Sequence, residues 1–194
     1  SALSPAPTPS PADQPPLRDI TGLASWSASS SKPGNGLTFL LDPNPATFWQ
    51  SDGAQPHTLT ATFPSRVQIS AVRLLLAYPA DESYTPRTVS VTLAATSPKE
   101  LRPGSAPHRH AALLELDKPQ GWVDILEAYS ASSPAAAVAV QIAVIANHQN
   151  GKDCHVHGVQ VLAPAAGVAG GAAAGAAPGG AGEEAGENGG EEER

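Results

Sequence analysis

The sequence is poor in the residues on which disulfide-bonded, membrane and nucleic-acid-binding proteins depend. Its single cysteine, Cys154, excludes an internal disulfide bond and favours a reducing, intracellular compartment. No apolar run approaches the ~18 residues that a membrane-spanning helix needs, and no cluster of Lys and Arg indicates nucleic-acid binding. The N-terminal segment lacks the basic and apolar regions of a signal peptide. An intracellular protein without a nucleic-acid or membrane partner is therefore expected.

Negative charge is distributed unevenly along the chain. The net charge is −7, but residues 181–194 contain six Glu and one Arg, which leaves −2 for the remainder. The Pro-rich segment 1–16 and the Ala/Gly/Glu-rich segment 164–194 cannot bury enough apolar surface to fold, so both are predicted to be disordered tails. Residues 17–163 remain, which is enough for one domain with one core.

Alternating apolar residues between the two tails predict β-strands. Leu59, Ala61 and Phe63 alternate with threonines, which places the three apolar side chains on one face of a strand. The longer apolar runs are expected to be strands covered on both faces. Strands are predicted at 58–63, 67–78, 88–93, 112–116, 122–126, 135–146 and 158–162. With a short helical turn near 36–41, the pattern predicts an all-β protein, a jelly-roll β-sandwich of about eight antiparallel strands.

Three loops between these strands are unusually polar, at 49–57, 79–87 and 146–153. In the last of them, seven residues, six of them polar and one a glycine, separate two apolar strands, whereas a hairpin needs only about two to five turn residues. Asn147, Gln149 and Asn150 can each donate and accept hydrogen bonds, which suits the docking of peptide amides. Because loops at one end of a sandwich cluster in space, these three are expected to form the binding surface.

Catalysis by a hydrolytic triad is not favoured, although Ser51, Asp52 and His57 are the residue types it needs. No nucleophile elbow surrounds Ser51, and Asp52 is too close to it in sequence to orient a distant histidine. Asp52 followed by Gly53 is instead typical of a tight turn. No enzymatic activity is predicted.

A metal site is not predicted either. His155 and His157, like His108 and His110, would share one face of an extended segment, and Cys154 adjoins the first pair. A closed zinc site needs four ligands at characteristic spacing, and no second cysteine exists. A calcium site would need clustered carboxylates. The candidates for one are scattered along the chain: Asp42, Asp52, Asp81 and Glu82. No cofactor is expected.

The aromatic residues divide into two groups by their surroundings in the sequence. Trp26, Trp49 and Trp122 each lie in an apolar, strand-like context, so packing in the core is expected. Tyr84 and His148 lie in the polar loops instead, where they are better placed for surface contact.

Four long segments carry a resemblance to a known family. They are "WSASSSKPGNG" at 26–36, "FWQSDGAQPH" at 48–57, "DESYTPRTVSV" at 81–91 and "VQIAVIANHQNGKD" at 140–153. These segments resemble the DOC domain family of the anaphase-promoting complex, and the resemblance extends from Arg18 to Leu162. It implies a galactose-binding-like β jelly roll, in agreement with the strand pattern.

The resemblance implies a substrate-recognition and processivity role in a ubiquitin ligase of the nucleus and cytoplasm. The domain would act beside a β-propeller coactivator as co-receptor for the destruction-box degrons of substrates such as cyclins and securin. Other implied partners are the tetratricopeptide-repeat and large scaffold subunits of the complex. The degron-binding residues it implies come from all three loops: Gln50, Ser51, Asp52, His57, Asp81, Glu82, Ser83, Tyr84, Asn147, His148, Gln149, Asn150 and Asp153.

The C-terminus departs from the family pattern. Family members typically end in an Ile-Arg dipeptide that docks into a tetratricopeptide-repeat subunit, whereas this chain ends in Glu193 and Arg194. Only Arg194 carries over as a docking residue. Two alternatives stay open, a carbohydrate-binding module, since the fold also serves lectins, and an adaptor of another ubiquitin ligase. Low aromatic content argues against the first, and the short chain against the second.

Overall fold

The computed structural model describes residues 16–42, 44–102, 109–127 and 135–165, with the side chains of 109–111 left out. Most of the two predicted tails therefore lies outside the described residues, as does Arg194. Within the described ranges the chain forms eleven strands and two short helices. The strands are β1 (Leu17–Asp19), β2 (Ser25–Ala28), β3 (Trp49–Gln50), β4 (His57–Ile69), β5 (Ala71–Ala77), β6 (Pro86–Ala94), β7 (Arg109–Glu115), β8 (Gln120–Glu127), β9 (Ala135–Asn147), β10 (His155–Val156) and β11 (Gly158–Pro164); the helices are α1 (Leu37–Leu41) and α2 (Tyr78–Asp81).

Two antiparallel sheets make up the sandwich. One has five strands in the order β2-β4-β9-β6-β7, and the other has four in the order β1-β11-β5-β8. A two-stranded sheet of β3 and β10 lies beside them, with His155 opposite Gln50 and Val156 opposite Trp49. The all-β, jelly-roll class predicted from the alternation of apolar residues is confirmed.

The core forms where the inner faces of the two sheets meet. Leu59, Ala61 and Phe63 of β4 are buried, as their alternation predicts, and the same holds for the inward residues of β6 and β9. β9 is rich in alanine, which favours helix, yet it is a strand. Its period-two pattern and its β-branched residues decide the outcome, because the sheet buries one complete face of such a segment.

The predicted single strand over 67–78 is wrong at Ser70. The chain turns there, so that β4 ends in the five-stranded sheet at Ile69 and β5 begins in the four-stranded sheet at Ala71. The Ser70 amide donates to the Leu162 carbonyl at 2.8 Å, which satisfies the backbone at this buried corner. The apolar run continues across the corner because both strands contribute to the same core.

The expectation that all three tryptophans pack in the core is correct for two of them. Trp49 is fully buried, and Trp26 packs against the core with its indole N–H donating to the Thr21 carbonyl at 3.0 Å. Trp122 is 39% exposed on β8, an edge strand of the four-stranded sheet. An edge position leaves part of a large ring uncovered, which the local sequence does not reveal.

Candidate functional site

The loop after β9 lies at the centre of one end of the sandwich and contacts both other polar loops. On one side it meets the segment after β3. The Gln55 amide donates to the Gly151 carbonyl at 3.1 Å, and His57 Nε2 donates to the Lys152 carbonyl at 2.6 Å. Three polar loops far apart in sequence therefore share one end of the molecule through this central loop.

On its other side the central loop packs against the segment after β5. A methyl group at Gly151 would overlap the Ser83 carbonyl oxygen and lie 2.7 Å from the carbonyl carbon, so only hydrogen fits there. The His148 amide donates to the Thr85 carbonyl at 2.9 Å. The ring of His148 also contacts that of Tyr78 edge to face, with centroids 4.9 Å apart. We call the joined segments 50–57, 78–85 and 147–154 the three-loop end.

The side chain of Asn147, the first residue of the central loop, holds the backbone of that loop through hydrogen bonds. Asn147 donates from its amide to the carbonyls of Gly151 at 3.2 Å and Asp153 at 2.7 Å. Between these points a 3-10 turn, His148–Asn150, carries Gln149 and Asn150 at φ values of 50° and 57°. Asparagine tolerates this left-handed backbone better than most residues. The turn therefore lifts two adjacent amide side chains, both exposed, to the tip of the loop.

The sequence-predicted degron-binding residues fall into two groups by exposure. One group is buried and engaged within the protein: Gln50, Ser51, His57, Asp81, Asn147 and His148. The other is exposed or half-buried: Asp52, Glu82, Ser83, Tyr84, Gln149, Asn150 and Asp153. The structure thus brings all thirteen to the three-loop end, but the side chains of the second group are the ones that face solvent.

Ser51 shows how the buried group acts. Its backbone N–H donates to the Cys154 carbonyl at 3.1 Å, and its hydroxyl accepts from the Cys154 amide at 2.9 Å. The same hydroxyl lies 3.3 Å from a carboxylate oxygen of Asp153. The side chain therefore ties the end of β3 to the segment before β10, and its partners are not those of a catalytic serine.

A buried carboxylate joins the segment after β5 to β10 and to the residue that follows it, His157. Asp81 accepts from His155 Nδ1 at 2.9 Å and from His157 Nε2 at 2.8 Å, one imidazole on each carboxylate oxygen. Burial by itself raises the pKa of Asp81 and is the largest single effect. The two imidazole hydrogen bonds and the nearby positive charge outweigh it together, and they lower the pKa to about 2. Asp81 is therefore a carboxylate at neutral pH.

His157 responds to the same pair in the opposite direction. Its hydrogen bond to the Asp81 carboxylate raises its pKa above the ordinary 6.5, against the lowering effect of burial. Both histidines were grouped by their spacing in an extended segment, and the structure confirms that they point to one place. The group to which both histidines donate is the Asp81 carboxylate.

We expect His157 to make stability pH-dependent. Because its pKa is raised on folding, its contribution is fully present below pH 6.5 and is lost as the pH rises through the raised value. The contribution of Asp81 is lost only as the pH falls from 3.8 towards about 2. In His157→Gln, an amide donor that cannot titrate replaces the imidazole. Urea unfolding at about pH 5.5 and about pH 8.5 should show a smaller loss of stability in the variant than in the native chain. An equal loss of stability between the two pH values in the native chain and in His157→Gln would contradict the raised pKa assigned to His157.

The Cys154 thiol is unsuited to bind a metal or to react. It is fully buried, and burial raises its pKa to about 12, so the thiolate does not form at neutral pH. Across the described ranges, no group of three or more His, Cys, Asp or Glu side chains is arranged to hold a metal ion. Of the other histidine pair, His108 lies outside the described residues, and His110 is known only as a backbone position in β7.

Sequence reasoning missed three residues of the site. Phe48 stacks on the ring of His155, and Tyr78 contacts the ring of His148. The Thr85 carbonyl accepts a hydrogen bond from the backbone N–H of His148. The histidine pair at 155 and 157 was noticed, but as a metal candidate. No local sequence signal marks Phe48, Tyr78 or Thr85, because each acts through a contact with a residue distant in the chain.

The antiparallel jelly roll with polar loops gathered at one end defines a galactose-binding-like domain. Among solved structures, the fold matches that of the family 32 carbohydrate-binding module of NanJ from Clostridium perfringens in complex with galactose. The TM-score is 0.55 at 14% identity, covering 75% of this chain and 98% of that one. This likeness establishes the fold. Within the described ranges no helix has the length and apolar character to cross a membrane.

The sequence comparisons are more specific. The family model "Anaphase-promoting complex, subunit 10 (APC10)" matches residues 10–176. Anaphase-promoting complex subunit 10 of Homo sapiens is 37% identical over 150 residues, 76% of each chain. The protein of the same name from Schizosaccharomyces pombe is 37% identical over 147 residues, 75% of this chain and 74% of that one. The chain belongs to the family of anaphase-promoting complex subunit 10.

Proposed function

We propose that this chain is a non-catalytic subunit of an anaphase-promoting complex in the nucleus and cytoplasm. It holds the destruction box of substrates such as cyclins and securin, together with a β-propeller coactivator. Membership of the subunit 10 family supports the assignment to the complex. Its other partners would be the tetratricopeptide-repeat and large scaffold subunits. Arg194, proposed for docking to the former, lies outside the described residues.

The observation that carries the degron-binding role is the surface of the three-loop end. Gln149 and Asn150 place two adjacent amides at the exposed tip of a loop whose backbone is held by partly buried hydrogen bonds from Asn147. The Gln149 amide also donates to the Tyr78 hydroxyl at 3.4 Å, which holds it near the loop surface. Amides of this kind can pair with the N–H and C=O groups of an extended peptide. Because the supporting loop is already ordered, little conformational freedom is lost on binding. The arrangement suits recognition of a short polar peptide segment.

A modest contact is sufficient for such a role. If the coactivator holds the Arg and Leu of the degron, the three-loop end needs to bind only the polar residues that follow. Two weak contacts on one peptide multiply through effective concentration. The gain is a longer residence time, during which more ubiquitin transfers occur per encounter, and the subunit itself makes and breaks no covalent bond.

Removing the two exposed amides tests this proposal. In Gln149→Gly/Asn150→Gly the left-handed backbone is retained, since glycine adopts positive φ freely. Each lost hydrogen bond of about 1 kcal/mol should weaken degron binding about fivefold. In a complex reconstituted with coactivator, ubiquitin chains on a cyclin substrate should become shorter, while assembly of the complex is unchanged.

A matched control lies in β4, at a distance from the three-loop end. Ser65 and Arg66 are exposed residues in the irregular part of β4, away from its end at His57. Ser65→Gly/Arg66→Gly removes two polar side chains without touching the three-loop end and should leave chain length unaltered. Equal chain lengths in the native protein and in the Gln149/Asn150 variant would refute the degron-binding role.

A further inference from the structure

The ring of His155 lies between two other aromatic rings. Phe48 stacks on it with centroids 3.8 Å apart and planes 17° apart, and Tyr84 stacks on it at 4.2 Å and 12°. One face of an imidazole cannot hold two parallel rings at van der Waals distance, so Phe48 and Tyr84 occupy opposite faces. The imidazole is therefore the middle layer of a three-ring stack.

The carboxylate of Asp81 sets the plane of this middle layer. A histidine ring turns readily about its bond to Cβ. Here the 2.9 Å hydrogen bond from His155 Nδ1 to the Asp81 carboxylate fixes the orientation of the ring. The second carboxylate oxygen is held by His157 Nε2 at 2.8 Å, so Asp81 itself cannot turn away. Both imidazoles and the carboxylate are buried, which strengthens these charge-assisted bonds.

The outer layer of the stack belongs to the exposed surface. Tyr84 is 41% exposed, and it ends the 3-10 turn Glu82–Tyr84, which directly follows Asp81. That turn packs on the central loop through Ser83 and Gly151. The exposed part of the tyrosine is thus carried on the same three-loop end as the two loop-tip amides.

We propose that Asp81, His155 and His157 form a clamp that positions the Tyr84 ring to contact the bound degron. The inference rests on the proposed function, because it starts from Tyr84 as one of the degron-binding residues and adds a positioning role for Asp81. A tyrosine whose ring is already stacked loses less rotamer freedom when a ligand covers it. His155, Phe48 and the carboxylate act through Tyr84, and within this group of residues only the tyrosine touches the peptide.

The stack has a spectroscopic signature that is independent of ligand binding. In the full chain, two flanking aromatic rings should shift the carbon-bound ring protons of His155 strongly upfield in the NMR spectrum. Asp81→Asn keeps the shape of the side chain but removes the charge that holds both imidazoles. This substitution should reduce the upfield shift, and a shift equal to that of the native chain would overturn the clamp.

Degron binding is then measured on the reconstituted complex with coactivator, using a fluorescein-labelled R-x-x-L peptide that includes the polar residues that follow. Asp81→Asn and Tyr84→Leu should each lower the affinity for the peptide about fivefold, which is the loss expected when one ordered aromatic contact is removed. Tyr84→Phe, which keeps the stacking ring, should restore most of the affinity. Val72→Ala, a change in the buried β5, serves as a control for lost stability alone and should affect neither readout.

The outcomes separate the two proposals. If Asp81→Asn loses the upfield shift but binds the peptide normally, the positioning role is wrong. If Tyr84→Leu and the Gln149/Asn150 variant both bind normally, the proposed function itself fails. Should Asp81→Asn not fold, Phe48→Leu decides, since Phe48 supports the far face of His155. It should reduce both the shift and the affinity, and normal affinity with a reduced shift would overturn the proposal.

Discussion

Replacing Gly151 by alanine is expected to destabilise the protein by about 3 kcal/mol and to displace the three-loop end. The added methyl group would overlap the backbone carbonyl of Ser83, and backbone cannot move aside as a flexible side chain can. Overpacking of this kind typically costs about 1 to 3 kcal/mol, and a backbone clash belongs at the upper end. The φ of Gly151 is −59°, so the effect is steric and not a matter of glycine's conformational freedom. Urea unfolding of the full chain gives the free energy.

Gly22→Ala is the matched control for this prediction. A methyl group at Gly22 meets nothing within 4 Å, and the residue lies in a 3-10 turn at ordinary φ. Its free energy of unfolding should stay within about 0.5 kcal/mol of the native value. If Gly151→Ala is equally mild, the segments 78–85 and 147–154 are not packed as described, and the joined surface on which the degron-binding role depends does not exist.

The fold could be predicted from the sequence because its longest strands carry an unbroken local signal. Leu59, Ala61 and Phe63 repeat with period two, and a sheet that buries one face turns that repeat directly into burial. The shortest strands left no such signal. β3 and β10 have two residues each and form only because Trp49 meets Val156, more than a hundred positions away. Pairing of that kind is set by the assembled fold and not by local preference.

The meeting of the three polar loops was predicted from the sequence, but the division of their residues into a buried and an exposed group was not. The three polar loops do meet, as their common position at strand ends indicates. Ser51 and Asn147 look in the sequence like Gln149 and Asn150, since a polar residue in a loop can equally face a ligand or its own backbone. The structure separates them by burial. Their assignment to direct degron contact remains a prediction, with the exposed amides the stronger candidates.

The partnership of Asp81 with two histidines could not be predicted from sequence spacing. Its two hydrogen bonds join residues 74 and 76 positions apart. An acidic residue in a polar loop is ordinarily solvated, and a pair of histidines alternating in a strand suggests a metal. The structure places β10 beside the segment after β5, so the two histidines become the partners of the Asp81 carboxylate. The burial of the carboxylate and the burial of the imidazoles therefore have the same explanation. Buried charge is tolerated there because every oxygen of the carboxylate has a partner.

Trp49→Ala is expected to be the most destabilising single change, at about 4 kcal/mol. Trp49 is completely buried in the core at the end nearest the site, and removal of a large aromatic ring typically costs about 3 to 5 kcal/mol. Its indole N–H also donates to the Ser31 hydroxyl at 2.8 Å, a bond that disappears with the ring. Because Trp49 is followed directly by Gln50 of β3 and by Ser51, both part of the three-loop end, the loss should spread there. Urea unfolding measures the stability, and the NMR shift of the His155 ring protons measures the local effect.

The other two tryptophans calibrate this result. Trp122→Ala removes a ring that is 39% exposed at a sheet edge, so it should cost about 1 kcal/mol and leave the His155 signal in place. Trp26→Ala should fall between the two, because that ring is partly buried and donates to the Thr21 carbonyl. The three residues are equivalent by their local sequence, so the predicted order, Trp49 above Trp26 above Trp122, depends wholly on the packing. Equal losses at Trp49 and Trp122 would mean that β3 is not anchored in the core, and the support for the site would then have to come from the loop hydrogen bonds alone.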